Sequence, residues 1–327
     1  MLSKRIKQAM AGSSAIRAMF MEGKEMAARY GAENVYDFSL GNPATPAPEK
    51  IKTAIYDILD KEDPLVVHGY MANAGYEEVR EAIAENLNER FGTNFHGKNL
   101  IMTVGAAGGL NIIFKTILDP GNEVMVFAPY FGEYKSYAAN FDAKIVEVMP
   151  DEADFMPDLA DFERKITKDT RAVIINNPNN PTGKLMKPAY LENVLEVCKE
   201  KNIYVVLDEC FIEFCEKENS MVQRLSTYRN LLIVRAFTKI YAIPGVRLGY
   251  LMCSDKELLQ KIRGQLPEWN LSVFAEAAGI ACLQQQEYLK KTVEYVAAER
   301  KFLTEKLQNL GLQVILSDAN FILFLSL

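Results

Sequence analysis

Ala172-Val-Ile-Ile-Asn-Asn-Pro-Asn-Asn-Pro-Thr-Gly183 decides the fold class of this 327-residue chain. Its apolar run, Ala172–Ile175, is unbroken, stops at asparagines, and leads into a loop with two prolines and a glycine. A strand covered on both faces reads this way, because neither face carries the polar half of an alternating pattern. Outward from it the pattern repeats. Short apolar runs stand at Leu100–Val104, Glu123–Ala128, Lys144–Val148, Ile203–Leu207, Leu231–Arg235 and Leu248–Cys253, with helical patterns at Gly109–Leu118 and Lys187–Glu200. This alternation predicts an α/β domain, a mostly parallel sheet sandwiched by helices. Ligands of such sheets gather in the loops that leave the carboxyl ends of strands.

The flanks read differently. Ser13–Tyr30 has the pattern of a helix capped by Ser13 or Ser14 and stopped by Gly31, and Gln286–Leu310 that of a long charged helix ended by Gly311. Two short strands are expected after it, Leu312–Leu316 and Asn320–Leu325. At roughly 150 residues per domain the length suggests two domains. The reading is a large domain over residues 46–283 and a smaller α+β domain drawn from residues 1–45 and 284–327.

Composition narrows the function. Lys+Arg 37 against Asp+Glu 43 leaves a net charge of −6, without the basic footprint that nucleic-acid binding requires. Apolar residues at 49% with 24% charged are the proportions of a globular chain. No apolar run approaches the roughly 20 residues of a membrane helix, and no signal-peptide core follows the basic N-terminus. The five cysteines, an odd count without Cys-x-x-Cys spacing, read as buried thiols in a reducing, cytoplasmic setting. With only His68 and His96 present, a histidine-based metal site or Ser-His-Asp triad is not expected.

Five clusters follow strands closely enough to carry chemistry. Thr103-Val-Gly-Ala-Ala-Gly-Gly109 runs from strand to helix through small residues, a place where backbone N–H groups meet an anion, or simply a tight turn. In Asn177-Pro-Asn-Asn-Pro-Thr-Gly183 the prolines restrict the path, which aims Asn180 in a set direction and equally describes a rigid turn. Asp208-Glu209 ends a buried strand, where a carboxylate needs a cation or strong donor, unless it caps the next segment. Thr238-Lys239, followed by Arg247, sits among Phe237, Ile240 and Tyr241. Desolvation there would favour a neutral, nucleophilic amine, although most lysines are solvated. Pro129-Tyr-Phe131 offers aromatics for a planar ring or for the core.

Together, in this order and spacing, these segments resemble the fold-type I, pyridoxal-phosphate-dependent aminotransferases (class I/II), from about Ser13 to the last residue. The resemblance makes Lys239 the Schiff-base lysine and proton shuttle, and Asp208 the partner of the pyridinium nitrogen. It places Asn180 on the ring hydroxyl oxygen and Phe131 on the ring face. Gly105, Ala106, Ala107, Thr238 and Arg247 would hold the phosphate. It makes Tyr70, in His68-Gly-Tyr70, the tyrosine that reaches a neighbour subunit's phosphate in a homodimer, and Leu40-Gly-Asn-Pro43, with Gly41 and Asn42, the substrate side. Three features depart from the family. Phe211 stands where many members have a hydroxyl donor to the ring oxygen, and Ala236 where many have serine or threonine. The chain stops at Leu327, short of the segment that carries an arginine for the substrate carboxylate; an incomplete small domain and weakened substrate use are therefore expected.

The resemblance implies transfer of an amino group from an amino acid to a 2-oxo acid, with pyridoxal 5'-phosphate as cofactor and no metal. Phe237–Tyr250 also looks like the histidinol-phosphate aminotransferase and threonine-phosphate decarboxylase branch. An amino-acid decarboxylase or lyase, or a cofactor-binding remnant without turnover, are the alternatives.

Overall fold

The computed structural model describes residues 15–43, 45–151 and 155–325. The helix-capping Ser13 and Ser14 and the chain's last two residues lie outside them. The chain divides into two compact units, Met1–Pro43 and Ala44–Leu327. In the first, the expected helix runs over Ala15–Tyr30. It ends where Gly31 takes a φ of 87° and donates its N–H to the Ala27 carbonyl, a left-handed stop that glycine reaches without steric cost.

The second unit is built on a seven-stranded sheet. In chain order its strands are β1 (Leu100–Val104), β2 (Glu123–Phe127), β3 (Lys144–Val148), β4 (Thr170–Asn176), β5 (Tyr204–Asp208), β6 (Leu231–Ala236) and β7 (Leu248–Cys253), arranged as β1-β7-β6-β5-β4-β2-β3. All pairings are parallel except those of β7, which runs against both β1 and β6. The sheet is therefore mostly parallel, as expected, with one reversed strand. Side chains alternate between two apolar layers. Val205 and Leu207 belong to the layer that also buries residues of helices Glu77–Phe91, Pro188–Glu200 and Val273–Leu283, and Val206 to the layer with residues of helices Gly105–Ile117 and Lys256–Arg263. That two-sided burial is why the strands lack a polar face. Each fully buried aliphatic side chain contributes about 1.5–3 kcal/mol, so the strand ends rest on a stiff base.

Two boundaries differ from expectation. The helix expected from Gly109 already starts at Gly105, so the glycines and alanines lie inside its first turns. Gly109 brings the helix close to β6: a Cβ on it would sit 3.3 Å from Val234 Cγ1. At the far end the long helix spans Gln286–Asn309, and a two-stranded antiparallel sheet follows, β8 (Gln313–Ile315) with β9 (Leu323–Leu325). The connection between β8 and β9 lies on the loop after β4. Asp318 N–H reaches the Gly183 carbonyl at 2.8 Å, and Arg300 ties the Ala319 carbonyl from the long helix at 2.6 Å.

Candidate active site

The carboxyl ends of β1, β2, β4, β5 and β6, with the start of β7, deliver all the expected residues of the second unit but Tyr70. The asparagine-rich loop after β4 is braced by its own amides. Asn176 Nδ2 donates to the Asp208 carbonyl at 3.0 Å, while its Oδ1 accepts Asn180 N–H at 2.8 Å. Asn177 exchanges two hydrogen bonds with the Met186 backbone, and Asn179 donates to the Pro129 carbonyl at 3.0 Å. These bonds join the loop holding Asn180 to the loops holding Asp208 and Phe131. Only Asn180 was singled out from the sequence; the other three asparagines do the bracing.

Asp208 ends β5 at 6% exposure. Its hydrogen-bond donors are the Tyr134 hydroxyl at 2.8 Å and the Cys210 N–H at 3.1 Å. Burial raises its pKa above the ordinary carboxylate value, and these donors offset only part of that rise. Tyr134 was missed in the sequence reading. It is the fully buried tyrosine of the helix Glu133–Ala139, one turn beyond Phe131, whose ring meets it edge-on at 5.6 Å. A strand-ending carboxylate signals that a donor is needed, but nothing in the sequence links positions 134 and 208.

Lys239 follows β6 on the loop that returns to β7. Burial holds its ammonium below the ordinary lysine range; the charge of Arg247 lowers it further, and Cys210 acts in the opposite sense. Its Nζ lies 6.0 Å from the centre of the Phe211 ring, and Phe211 packs edge-on against Phe321 at 5.0 Å. Thr238 beside it is buried.

The anion cradle lies at the start of the Gly105–Ile117 helix, where Ala106 and Ala107 are half-buried. Gly105 has a φ of 64°, and a Cβ on it would lie 2.9 Å from a terminal nitrogen of Arg247. Arg247, itself at a φ of 62°, is anchored by a 2.9 Å bond from Nη1 to the Pro244 carbonyl. Gly249 lets β7 press against this turn, since its Cβ would fall 2.8 Å from the Gly105 carbonyl carbon. A guanidinium, a helix N-terminus and bare backbone thus share one spot, the arrangement that binds phosphate.

Three expected residues remain. Tyr70 is 83% exposed and stacks on Trp269 with centroids 4.4 Å apart. Gly41 and Asn42 belong to the first unit, both exposed. All five cysteines are free thiols, and among the described residues no cluster of histidine, cysteine and carboxylate suits a metal. Among them, too, no helix is long and apolar enough to cross a membrane.

The second unit fits pyridoxal phosphate on three counts. A buried carboxylate awaits a cationic ring nitrogen, a desolvated amine awaits an aldehyde, and a cradle that a Cβ would fill awaits a phosphate. Residues 33–327 match the family model "Aminotransferase class I and II". An aspartate aminotransferase of Pyrococcus horikoshii is 30% identical over 92% of this chain and 76% of its own. A histidinol-phosphate aminotransferase of Methanocaldococcus jannaschii is 29% identical over 92% and 78%. Among solved structures, an amino transferase from Eubacterium rectale superposes with a TM-score of 0.86 at 32% identity, covering 98% of this chain and 83% of that one. Thermus thermophilus aspartate aminotransferase with maleate also gives 0.86, at 30% identity over 99% and 85%. The chain belongs to the aminotransferase class I and II family and is a pyridoxal-phosphate-dependent enzyme of amino-group transfer.

Proposed function

We propose that Lys239 is the residue that holds the cofactor aldehyde and then moves the proton of amino-group transfer, with Asp208 set on the ring nitrogen. The carrying observation is the desolvated Lys239 on the same loop as Arg247, the arginine over the Gly105 cradle. When bound, pyridoxal phosphate supplies an aldehyde that condenses with amines and an aromatic ring that accepts electron density. With the cofactor bound, Lys239 Nζ, held toward its neutral form by burial, would serve as the base that moves the substrate's Cα proton. Asp208 keeps the ring nitrogen protonated, Phe131 covers the ring face, and Asn180 donates to the ring oxygen. Gly105, Ala106, Ala107, Thr238 and Arg247 hold the phosphate. Phe211 offers no hydroxyl, so Asn180 carries the ring oxygen without a phenolic partner.

The substrate is read as an amino acid or related amine that bears an anionic group, since the relatives are named for aspartate and for histidinol phosphate. Gly41 and Asn42 are assigned to the substrate side. A homodimer in the cytoplasm, with Tyr70 acting in the neighbour's phosphate site, completes the reading. So does the division into a large domain, 46–283, and a small one from 1–45 and 284–327. Borohydride reduction of the protein loaded with pyridoxal phosphate, followed by peptide mapping, tests the central assignment. The label is expected on Lys239; a label on another lysine overturns it. Conversion of the loaded protein to the pyridoxamine form by aspartate or histidinol phosphate, without release of carbon dioxide, distinguishes amino transfer from decarboxylation.

A further inference from the structure

Tyr70 stands on a loop whose backbone is fixed but whose phenol is not buried. Met71 and Ala74 pack into the interior. The Ala74 carbonyl accepts the Met102 N–H of β1 at 3.1 Å, and the Tyr76 N–H ends on Glu276 at 2.7 Å. The Tyr70 ring itself points outward, with one face on the indole of Trp269 and the two planes 27° from parallel. Trp269 is the chain's single tryptophan, on the segment that leads into the helix Val273–Leu283. Its backbone is left-handed, at a φ of 51°, a conformation that a bulky residue keeps only where its surroundings impose it. Burial of the indole does not impose it, because Trp269 remains 49% exposed. The constraint comes from the loop of Tyr70. Asn73 Oδ1 accepts the Trp269 N–H at 2.9 Å, and the Asn73 carbonyl accepts Asn270 Nδ2 at 2.9 Å. Asn73 thus fixes the backbone of the residue on which Tyr70 stacks, and ring and platform form one clamp.

We propose that Trp269 is a positioning residue for Tyr70: its indole, set by Asn73, holds the outward-facing phenol so that the hydroxyl meets the cofactor phosphate of the neighbouring subunit. This rests on the assignment of Tyr70 to that phosphate. An exposed side chain without a platform samples several rotamers and is ordered only on contact, at a cost in affinity; one that is already stacked avoids most of that cost. Stacking restrains the ring through its face and leaves the hydroxyl at the rim to the phosphate.

The test compares two ligands of the apoprotein, pyridoxal 5'-phosphate and pyridoxal, which share ring and aldehyde and differ in the phosphate. Tyr70→Phe keeps the ring and removes the hydroxyl; Trp269→Ala keeps the hydroxyl and removes the platform. Trp269→Ala is expected to weaken binding of pyridoxal 5'-phosphate about three- to tenfold, the ordering of one side chain, and to leave pyridoxal within about twofold. Trp269→Phe, which restores an aromatic face, should bind both ligands as wild type does. In a Tyr70→Phe background Trp269→Ala should add no further loss, because the platform acts through the hydroxyl. Equal losses for both ligands would show a merely structural role and overturn the proposal. So would unchanged affinities in Trp269→Ala, or a loss that persists undiminished in the Tyr70→Phe background. Tyr70→Phe alone judges the underlying assignment. If it binds pyridoxal 5'-phosphate as tightly as wild type, Tyr70 is not on the phosphate and the proposal falls with it; if it loses affinity for that ligand only, the assignment stands and the Trp269 variants decide.

Discussion

Arg235 directs two N–H groups, Nε at 2.9 Å and a terminal nitrogen at 2.7 Å, to a single oxygen of Glu209, with the two side chains 4% and 0% exposed. Glu209 follows Asp208 in sequence, and Arg235 precedes the strand exit that leads to Lys239. The guanidinium also reaches Glu213 at 2.9 Å, and Glu213 is shared with Arg90. Two carboxylates and two guanidiniums thus tie the ends of β5 and β6 together behind the cofactor residues. The Glu213 carboxyl illustrates the balance: burial raises its pKa, Arg235 and Arg90 lower it, and the net direction is down.

Removing one partner of this network is expected to be severe. Arg235→Met leaves Glu209 charged and buried, which should lower unfolding free energy by about 3–5 kcal/mol. Adding Glu209→Gln removes the stranded charge and should recover about half of that loss. Urea unfolding of the two variants checks this; a single variant within about 1 kcal/mol of wild type would show that solvent reaches the pair.

Glu276 should make stability pH-dependent. It is 1% exposed, accepts the Tyr76 N–H at 2.7 Å, and has its other oxygen buried without a partner. Burial pushes its carboxyl up to about 7, against weaker lowering by the Tyr76 N–H and Arg80 and a small raising by Glu78. The folded state therefore holds a proton that the unfolded chain has released. The corresponding stability is fully present below about pH 4.5 and is lost as pH rises through about 7. At about 1.36 kcal/mol per unit this is roughly 3 kcal/mol. Glu276→Gln should abolish it, so the variant gains on wild type between pH 4.5 and 8. Parallel unfolding curves across that range would contradict the assignment.

Gly105→Ala tests the anion cradle. The methyl group meets Arg247 at 2.9 Å while the backbone stays at a φ of 64°, a conformation that costs an L-residue of order 1 kcal/mol or more. Affinity for pyridoxal phosphate should fall about tenfold or more, and unfolding free energy by about 1–2 kcal/mol. Unchanged affinity in isothermal titration would place the phosphate elsewhere.

The proposed shared-site dimer makes a numerical prediction. Lys239→Ala and Tyr70→Ala subunits, each inactive alone, should regain about a quarter of wild-type sites when mixed and reassembled in equal amounts. Half of the dimers are then hybrids with one intact site. No regain in a sample that sediments as a dimer would show that Tyr70 serves its own subunit.

Much of this molecule was legible from residue order because burial imposes simple patterns. Strands covered on both faces, such as β4 and β5, stand out as apolar runs, and the polar residues ending them mark the site. Helix starts were less clear: Gly105–Gly109 reads as a turn because glycine and alanine show no amphipathic period, while the fold uses their smallness to bring helix against strand. The helices Glu49–Lys61 and Glu77–Phe91 were legible too, with Ile51, Ile55, Ile58 and Leu59 in one and Val79, Ile83, Leu87 and Phe91 in the other at helical spacing, but the sequence reading did not single them out. The donors to Asp208 were invisible for another reason. Tyr134 meets Asp208 across 74 positions, and such a pairing exists only once the chain has folded.

The reversed strand β7 has a consequence for how this site tolerates change. Because β6 and β7 run antiparallel, their connection is one short return over residues 237–247, and it holds both Lys239 and Arg247. The distance from the proposed aldehyde anchor to the proposed phosphate anchor is then set by a single stretch of backbone, pinned at both ends to adjacent strands. Lengthening the chain between Asn180 and Asp208, where the intervening helix can absorb residues on the outer surface, leaves that ruler intact. One residue inserted between 239 and 247 resets it. A library of single-residue insertions scored for cofactor retention should therefore be blank across this return and permissive around Lys199–Asn202.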